Sequence, residues 1–508
     1  MSNRQLFFTL VVLFSLILLS CTKTPDKYKN EIVAGSSKIT GTINLPEKSN
    51  RDSIVLTISL LRPITLELVT YDILVDSLGK FSFDFDVEID TTYIGLRSSL
   101  NPDKMLRIRA VNGEVTHVDI TYDANKNIKF IEITPVMNKY DAMQNMDILI
   151  RMANYRPIDP NWEYPKFYDK SIDDFLAFAN SNVSKRIDLF VNKDNLISNE
   201  FKDLIAKDYR LFLYTAHVFN YESTIKRNYR NATQDTINIP KIQKIDRSYF
   251  IFLKDFDLND LQYLNTFTFP EFQDSILQNN VLGIPMIGDS DIHKWLTYLK
   301  SVLSDLVGFD DGQYYDILAA NAYARQMNIQ GRPLSEKQKE NIKDYWGNGE
   351  IAKILFRKNE KVLTYSNLKS PTVVNDVSAV PKEELMNEIV AKYKNKGVFI
   401  DLWATWCAPC LEAMKQFKNV KGDFKDKDVV FVYITNGSSP KKLWEQNIQG
   451  IGSEHYYLTD EQWEYMMDQM GFEGIPSYVL YNKEGSLVNK FTSFPGNEKV
   501  VKMINNVL

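Results

Sequence analysis

The chain reads as a multidomain protein with an N-terminal antiparallel β-sandwich, a central α-helical region and a C-terminal α/β domain. Three observations predict this order. Apolar residues recur at every second position between 39 and 135, then at helical spacing of about 3.6 between 138 and 365. From 381 to the end, strand-length and helix-length runs alternate. At 508 residues the chain has room for roughly three domains.

Residues 1–20 read as a signal peptide. Arg4 precedes an apolar run over 6–19 that is broken only by Thr9 and Ser15. That run is too short to span a ~30 Å hydrocarbon core with margin, which favours a secretory signal over a permanent membrane helix. Its ending, Leu18-Leu19-Ser20-Cys21, resembles a bacterial lipoprotein lipobox. The resemblance implies cleavage before Cys21 and lipid attachment to it. An ordinary signal peptide with a chance cysteine is the competing reading. The polar residues 21–37 are then a lipidated tether, and the protein is expected on the periplasmic side of a bacterial membrane, inner or outer. A net charge of −5 with interspersed signs and no basic stripe argues against a nucleic-acid partner. Four scattered histidines without a His-x-x-x-His pair or a repeated Cys-x-x-C predict no metal site.

The β-sandwich is assigned to 38–136. The run 54–60 is a buried strand, Phe81, Phe83, Phe85 and Val87 alternate with polar residues, and Val118, Ile120 and Tyr122 alternate again. Asp76-Ser77-Leu78-Gly79 is a turn. The helical domain is assigned to 137–365. Phe201, Leu204, Ile205, Tyr209 and Phe212 make one helical stripe, and Trp295, Leu299, Val302 and Leu306 make another. His217 and His293 fall here and are expected to be structural. Residues 366–380 carry no helical stripe and read as a linker. In 381–508 the expected order is helix (381–394), strand (398–402), helix (408–417), strand (429–434), helix (441–448), a hairpin of 477–481 with 487–491, and a final helix (497–507).

The strand at 398–402 runs into Trp403-Ala404-Thr405-Trp406-Cys407-Ala408-Pro409-Cys410. A cysteine at a helix N-terminus faces unpaired backbone N–H groups and the positive end of the helix dipole, and both favour thiolate. Cys407 holds that end and is the expected exposed nucleophile. Cys410, one turn later, is the expected buried resolving thiol. With only three cysteines in the chain and Cys21 otherwise engaged, this pair is the one reversible dithiol the protein can form on its own.

The motif, together with Gly474-Ile475-Pro476-Ser477, resembles the thioredoxin family, in particular its TlpA-like extracytoplasmic branch. The resemblance covers about a quarter of the chain. It implies a thioredoxin-like fold for 381–508 and thiol:disulfide oxidoreductase activity, with a reducing direction favoured. It also implies a cis Ile475-Pro476 bond that docks substrate, and a buried carboxylate, here Asp401, that takes the resolving thiol's proton. A strand-end Asp401 in a salt bridge is the alternative. Trp406 is expected to shield the dithiol at the docking surface, and Trp403 to pack in the core. The branch also tends to carry a glutamate three residues after the second cysteine and a proline two residues later. Ala413 and Lys415 stand there, and the displaced Glu412 is turned by about 100°. Ala404 lacks the hydroxyl that a peroxiredoxin needs three residues before its cysteine. No cofactor is expected beyond the redox-active Cys407–Cys410 disulfide. The implied partners are protein disulfide or dithiol substrates, an upstream electron donor, and the membrane through the lipid anchor. The rival class is a binding or assembly lipoprotein whose N-terminal domains carry the main function.

Overall fold

The computed structural model describes residues 31–46, 54–156, 165–235, 238, 240–330, 332–367, 372–424 and 427–508. The expected signal peptide, Cys21 and most of the tether lie outside them. The chain divides into two compact units, Met1–Leu282 with Ser304–Asp310, and Gly283–Leu303 with Asp311–Leu508. Among the described residues no helix is long and apolar enough to cross a membrane.

The first unit opens with eight strands: β1 (Ile32–Asn44), β2 (Val55–Arg62), β3 (Glu67–Leu74), β4 (Lys80–Ile89), β5 (Thr91–Ser98), β6 (Asn101–Val111), β7 (Val115–Tyr122) and β8 (Ile128–Thr134). They form two four-stranded sheets of order β4-β1-β7-β8 and β3-β2-β5-β6. Leu56, Ile58 and Leu60 of β2 are buried, as are Phe81, Phe85 and Val87 of β4, in the period-two pattern the sequence predicts. The purely antiparallel expectation needs correction, because β1 and β7 pair in parallel from Lys38↔Val115 to Asn44↔Thr121. Parallel neighbours need a long crossover, and the strands between β1 and β7 supply it. Gly41 sits where β4 and β7 both flank β1, and a Cβ there would stand 1.8 Å from the Val118 carbonyl oxygen. Only glycine permits that approach.

Five helices follow: α1 (Lys139–Asn154), α2 (Ile172–Ile187), α3 (Asn199–Leu213), α4 (Tyr221–Thr233) and α5 (Phe269–Leu277). The predicted stripe of α3 is buried at Phe201, Leu204, Ile205 and Tyr209, whereas Phe212 is 41% exposed. The next helix, α6 (Ile292–Val307), is divided between the units at residue 303. It buries Trp295, Leu299 and Leu306.

The second unit adds α7 (Gln313–Gln330), α8 (Glu336–Trp346) and α9 (Glu350–Asn367), then strand β9 (Thr372–Asn375). Two expectations change here. The stretch 137–365, read as one helical domain, is shared between the two units. The linker read over 366–380 contains β9, which pairs in parallel with β12 (Ser453–Leu458). Four residues of an edge strand leave too short a pattern to be distinguished from a linker.

The remaining elements are α10 (Leu385–Ala391), β10 (Gly397–Leu402), α11 (Ala408–Lys421), β11 (Val429–Asn436), α12 (Lys441–Ile451), α13 (Asp460–Met470), β13 (Ser477–Tyr481), β14 (Leu487–Thr492) and α14 (Asn497–Asn505). Six strands form one sheet of order β14-β13-β10-β11-β12-β9. β10 is buried along its whole length because apolar cores cover both faces. One core holds Phe399, Trp403, Phe431, Trp444 and Val500, and the other holds Leu385, Val398, Ile400, Ile434 and Met466. On one side α12 packs against α7.

β12 and α13 were not anticipated, although Thr459-Asp460-Glu461-Gln462 carries their signal. Thr459 accepts from the Gln462 N–H at 3.2 Å, and Gln462 reaches back to the Thr459 N–H at 3.1 Å. Thr459→Ala is expected to cost about 1 kcal/mol, read as faster hydrogen exchange of the α13 amides. Unchanged exchange would mean that tertiary packing alone holds the helix.

Candidate redox site

The site begins where β10 ends. Trp403 N–H still donates to the Ile434 carbonyl of β11 at 3.0 Å, and the chain then leaves the sheet. Thr405 N–H donates to Ser439 Oγ at 3.0 Å, and Cys407 N–H donates to the Ala404 carbonyl at 3.0 Å. This turn places Cys407 at the N-cap of α11 with Pro409 in the first turn, where a missing N–H costs nothing. The Cys407 sulfur accepts the Cys410 N–H at 3.2 Å. Cys407 and Cys410 are joined in a disulfide, with Cα atoms 5.3 Å apart.

Cys407, expected to be exposed, is only 3% exposed, and Cys410 is fully buried. The reason is local. The N-cap sulfur folds back toward the helix and joins the core that contains Phe399, Trp403 and Ala404. The surface is carried instead by Trp406, 62% exposed, whose indole N–H donates to Ser438 Oγ at 3.2 Å. Trp406 is therefore more surface than shield, whereas Trp403 is buried as expected. Ser438 and Ser439 were missed in the sequence. Ser439 also bonds Thr435 Oγ1 at 2.8 Å, and Ser438 donates to Asn436 Oδ1 at 2.7 Å. The turn cluster Asn436-Gly437-Ser438-Ser439-Pro440 directly after a strand is the signal that could have marked them.

Asp401 lies on β10 opposite Tyr433 of β11 and Tyr478 of β13. Both tyrosines belong to the core that also holds the two cysteines, so Asp401 faces the dithiol side of the sheet. It is 4% exposed, and its Oδ1 has no hydrogen-bond partner among the described residues. Burial raises the Asp401 carboxyl well above the usual carboxylate range, and the Lys421 ammonium opposes this. Burial, followed by the nearby carboxyl, also pushes the Tyr433 and Tyr478 hydroxyls up. Lys421 donates to the Ile451 carbonyl at 3.0 Å and lies 3.3 Å from the Tyr433 hydroxyl. The Asp401 salt-bridge alternative is not realised within 4 Å among the described residues. The row continues to His455, which stacks on Tyr433 at 5.2 Å. Burial, with Lys421 adding to it, lowers this imidazole to about 4, and its Nε2 bonds the Gly452 carbonyl at 2.8 Å.

Ile475-Pro476 is cis. Pro476 is buried and Ile475 half-buried, packed against both cores. Pro476 C=O accepts from Ser493 N–H at 3.0 Å, while the Ile475 N–H and C=O have no hydrogen-bond partner among the described residues. Ala413 is buried, and the side chains of Glu412 and Lys415 lie outside the described ones.

Residues 381–508 match the Redoxin family model. Thiol-disulfide oxidoreductase ResA of Halalkalibacterium halodurans is 25% identical over 112 residues, 22% of this chain and 62% of that protein. ResA of Bacillus subtilis is 31% identical over 102 residues, 20% of this chain and 54% of that protein. This chain thus spans less than two thirds of the length of these relatives. A thiol:disulfide interchange protein of Chlorobium tepidum, a thioredoxin family member of solved structure, overlaps 23% of this chain and 83% of its own at 20% identity and a TM-score of 0.21.

Proposed function

We propose, from residues 381–508 as a thioredoxin-like domain of the Redoxin family, that the protein is a thiol:disulfide oxidoreductase acting on protein disulfides, with reduction as its direction. The observation that carries this reading is the Cys407–Cys410 disulfide at the N-terminus of α11, on the sheet face occupied by buried Asp401.

In the reduced protein the helix N-terminus stabilises the Cys407 thiolate. That thiolate attacks one sulfur of a substrate disulfide. The substrate S–S bond breaks, a Cys407–substrate disulfide forms, and one substrate thiolate leaves. Cys410 passes its proton to Asp401, directly or through water, and its thiolate attacks Cys407 Sγ. The intrachain disulfide closes and the second substrate thiolate departs, so two electrons have moved to the substrate. An upstream dithiol donor must restore the reduced pair.

Trp406 offers the exposed contact surface, and the open Ile475 backbone beside Pro476 can pair with an extended substrate segment. We place the protein on the periplasmic side of a bacterial membrane, tethered through a lipid on Cys21, and read its two N-terminal sheets as a β-sandwich. The full chain supplied with dithiothreitol is expected to precipitate insulin faster than dithiothreitol alone. An equal rate overturns the reading.

A further inference from the structure

The first compact unit contains a cleft of about 560 Å³ between α2, α3, α4 and the end of α1, a volume within the range of small-molecule sites. Its chemistry is lopsided. Phe167, Phe178 and Phe212 give it apolar walls, with the first two rings 5.2 Å apart. Its described lining carries four cationic side chains, Arg156, Lys185, Arg186 and Arg227, and no carboxylate.

One of these charges is accounted for by the fold. Arg186 donates to the Ala153 and Tyr155 carbonyls at 3.3 and 3.2 Å and to the Met152 carbonyl, at the negative end of α1. The other three are exposed and form no ion pair among the described residues. Arg227 Nη2 stands 2.8 Å from His217 Nδ1. A guanidinium only donates, so Nδ1 accepts and the imidazole is neutral, with its proton on Nε2. Burial, with Arg227 and Arg186 adding to it, lowers His217 to about 4. The imidazole thus steadies Arg227 at the cleft without neutralising it.

We infer that this cleft binds a small organic anion with a flat apolar body, a class typified by aromatic carboxylates and sulfonates. The acid group sits among Arg227, Lys185 and Arg156, and the body lies on the phenylalanines. The inference does not rest on the redox reading, since Cys407 and Cys410 belong to the other unit.

The test is a fluorescence titration of the full chain with two probes of similar shape, the anion anilinonaphthalene sulfonate and the neutral phenylnaphthylamine. The anion is expected to bind at least about tenfold more tightly. Lys185→Gln/Arg227→Gln should weaken the anion by about tenfold or more and leave the neutral probe unchanged. Arg156→Gln/Lys185→Gln, which leaves the His217 contact intact, guards against a folding defect and should act in the same direction. Equal affinity for the two probes, absence of saturable binding, or anion affinity unaffected by both double variants overturns the inference.

Discussion

Cys410→Ser is expected to stall the protein as a mixed disulfide with its substrate. Cys407 keeps its N-cap position in that variant, because the N–H it accepts belongs to the backbone of residue 410. Attack on substrate therefore proceeds, but no thiol remains one turn along α11 to release the product. Turnover of insulin should fall by roughly 10³-fold or more. A covalent adduct should accumulate that runs at higher mass on a non-reducing gel and disappears with dithiothreitol. Cys407→Ser should lose turnover without forming the adduct. If the adduct formed on the Cys407→Ser protein instead, the roles of the two cysteines would be reversed. The burial of Cys407 sharpens the expectation, since a substrate must reach a residue that is only 3% exposed beside the exposed Trp406.

Asp401→Asn should produce two opposite effects. At neutral pH the resolving step loses its proton acceptor, and turnover should fall by roughly 10²-fold. The same change should stabilise the domain, because a buried carboxyl with an unpartnered oxygen is replaced by a neutral amide. The pH dependence follows from the direction of the shift. The folded carboxyl titrates well above its ordinary value of 3.8. Above that value the unfolded chain has released a proton that the folded chain still holds. Stability is therefore full at low pH and falls as pH rises through the folded-state pKa, with a slope approaching about 1.4 kcal/mol per pH unit. Hydrogen exchange of the β10 amides at several pH values reads this locally in a multi-unit chain. Wild type should lose protection as pH rises, and Asp401→Asn should flatten the trend and gain roughly 1–3 kcal/mol at neutral pH. Identical pH trends in the two proteins would mean that burial leaves the Asp401 carboxyl at its ordinary value, with no raised pKa to serve the resolving step.

Much of the C-terminal domain was legible because its signals are local. β10, α11, β11 and the β13–β14 hairpin fall near the residues where apolar period, caps and turns put them. β9 escaped because four edge residues, half of them exposed, carry no period. α13 escaped although its capping box was in plain view. At the site, the dithiol, Asp401 and cis Ile475-Pro476 were named from the sequence, while Ser438 and Ser439 were not. They belong to the site only because β10 and β11 run in parallel and bring residues 405 and 439 together.

By itself the sequence determined where Cys407 and Cys410 stand, one turn apart at a helix start, because a helix start, its cap and a one-turn spacing depend only on neighbouring residues. Tertiary structure alone decided that Asp401 lies among Tyr433, Tyr478 and Lys421, that β1 and β7 run in parallel, and that one helical stretch serves two units. Each of these depends on contacts between residues tens to hundreds of positions apart. Such contacts form when apolar surfaces are buried together across the whole chain, and no local period encodes which surfaces will meet.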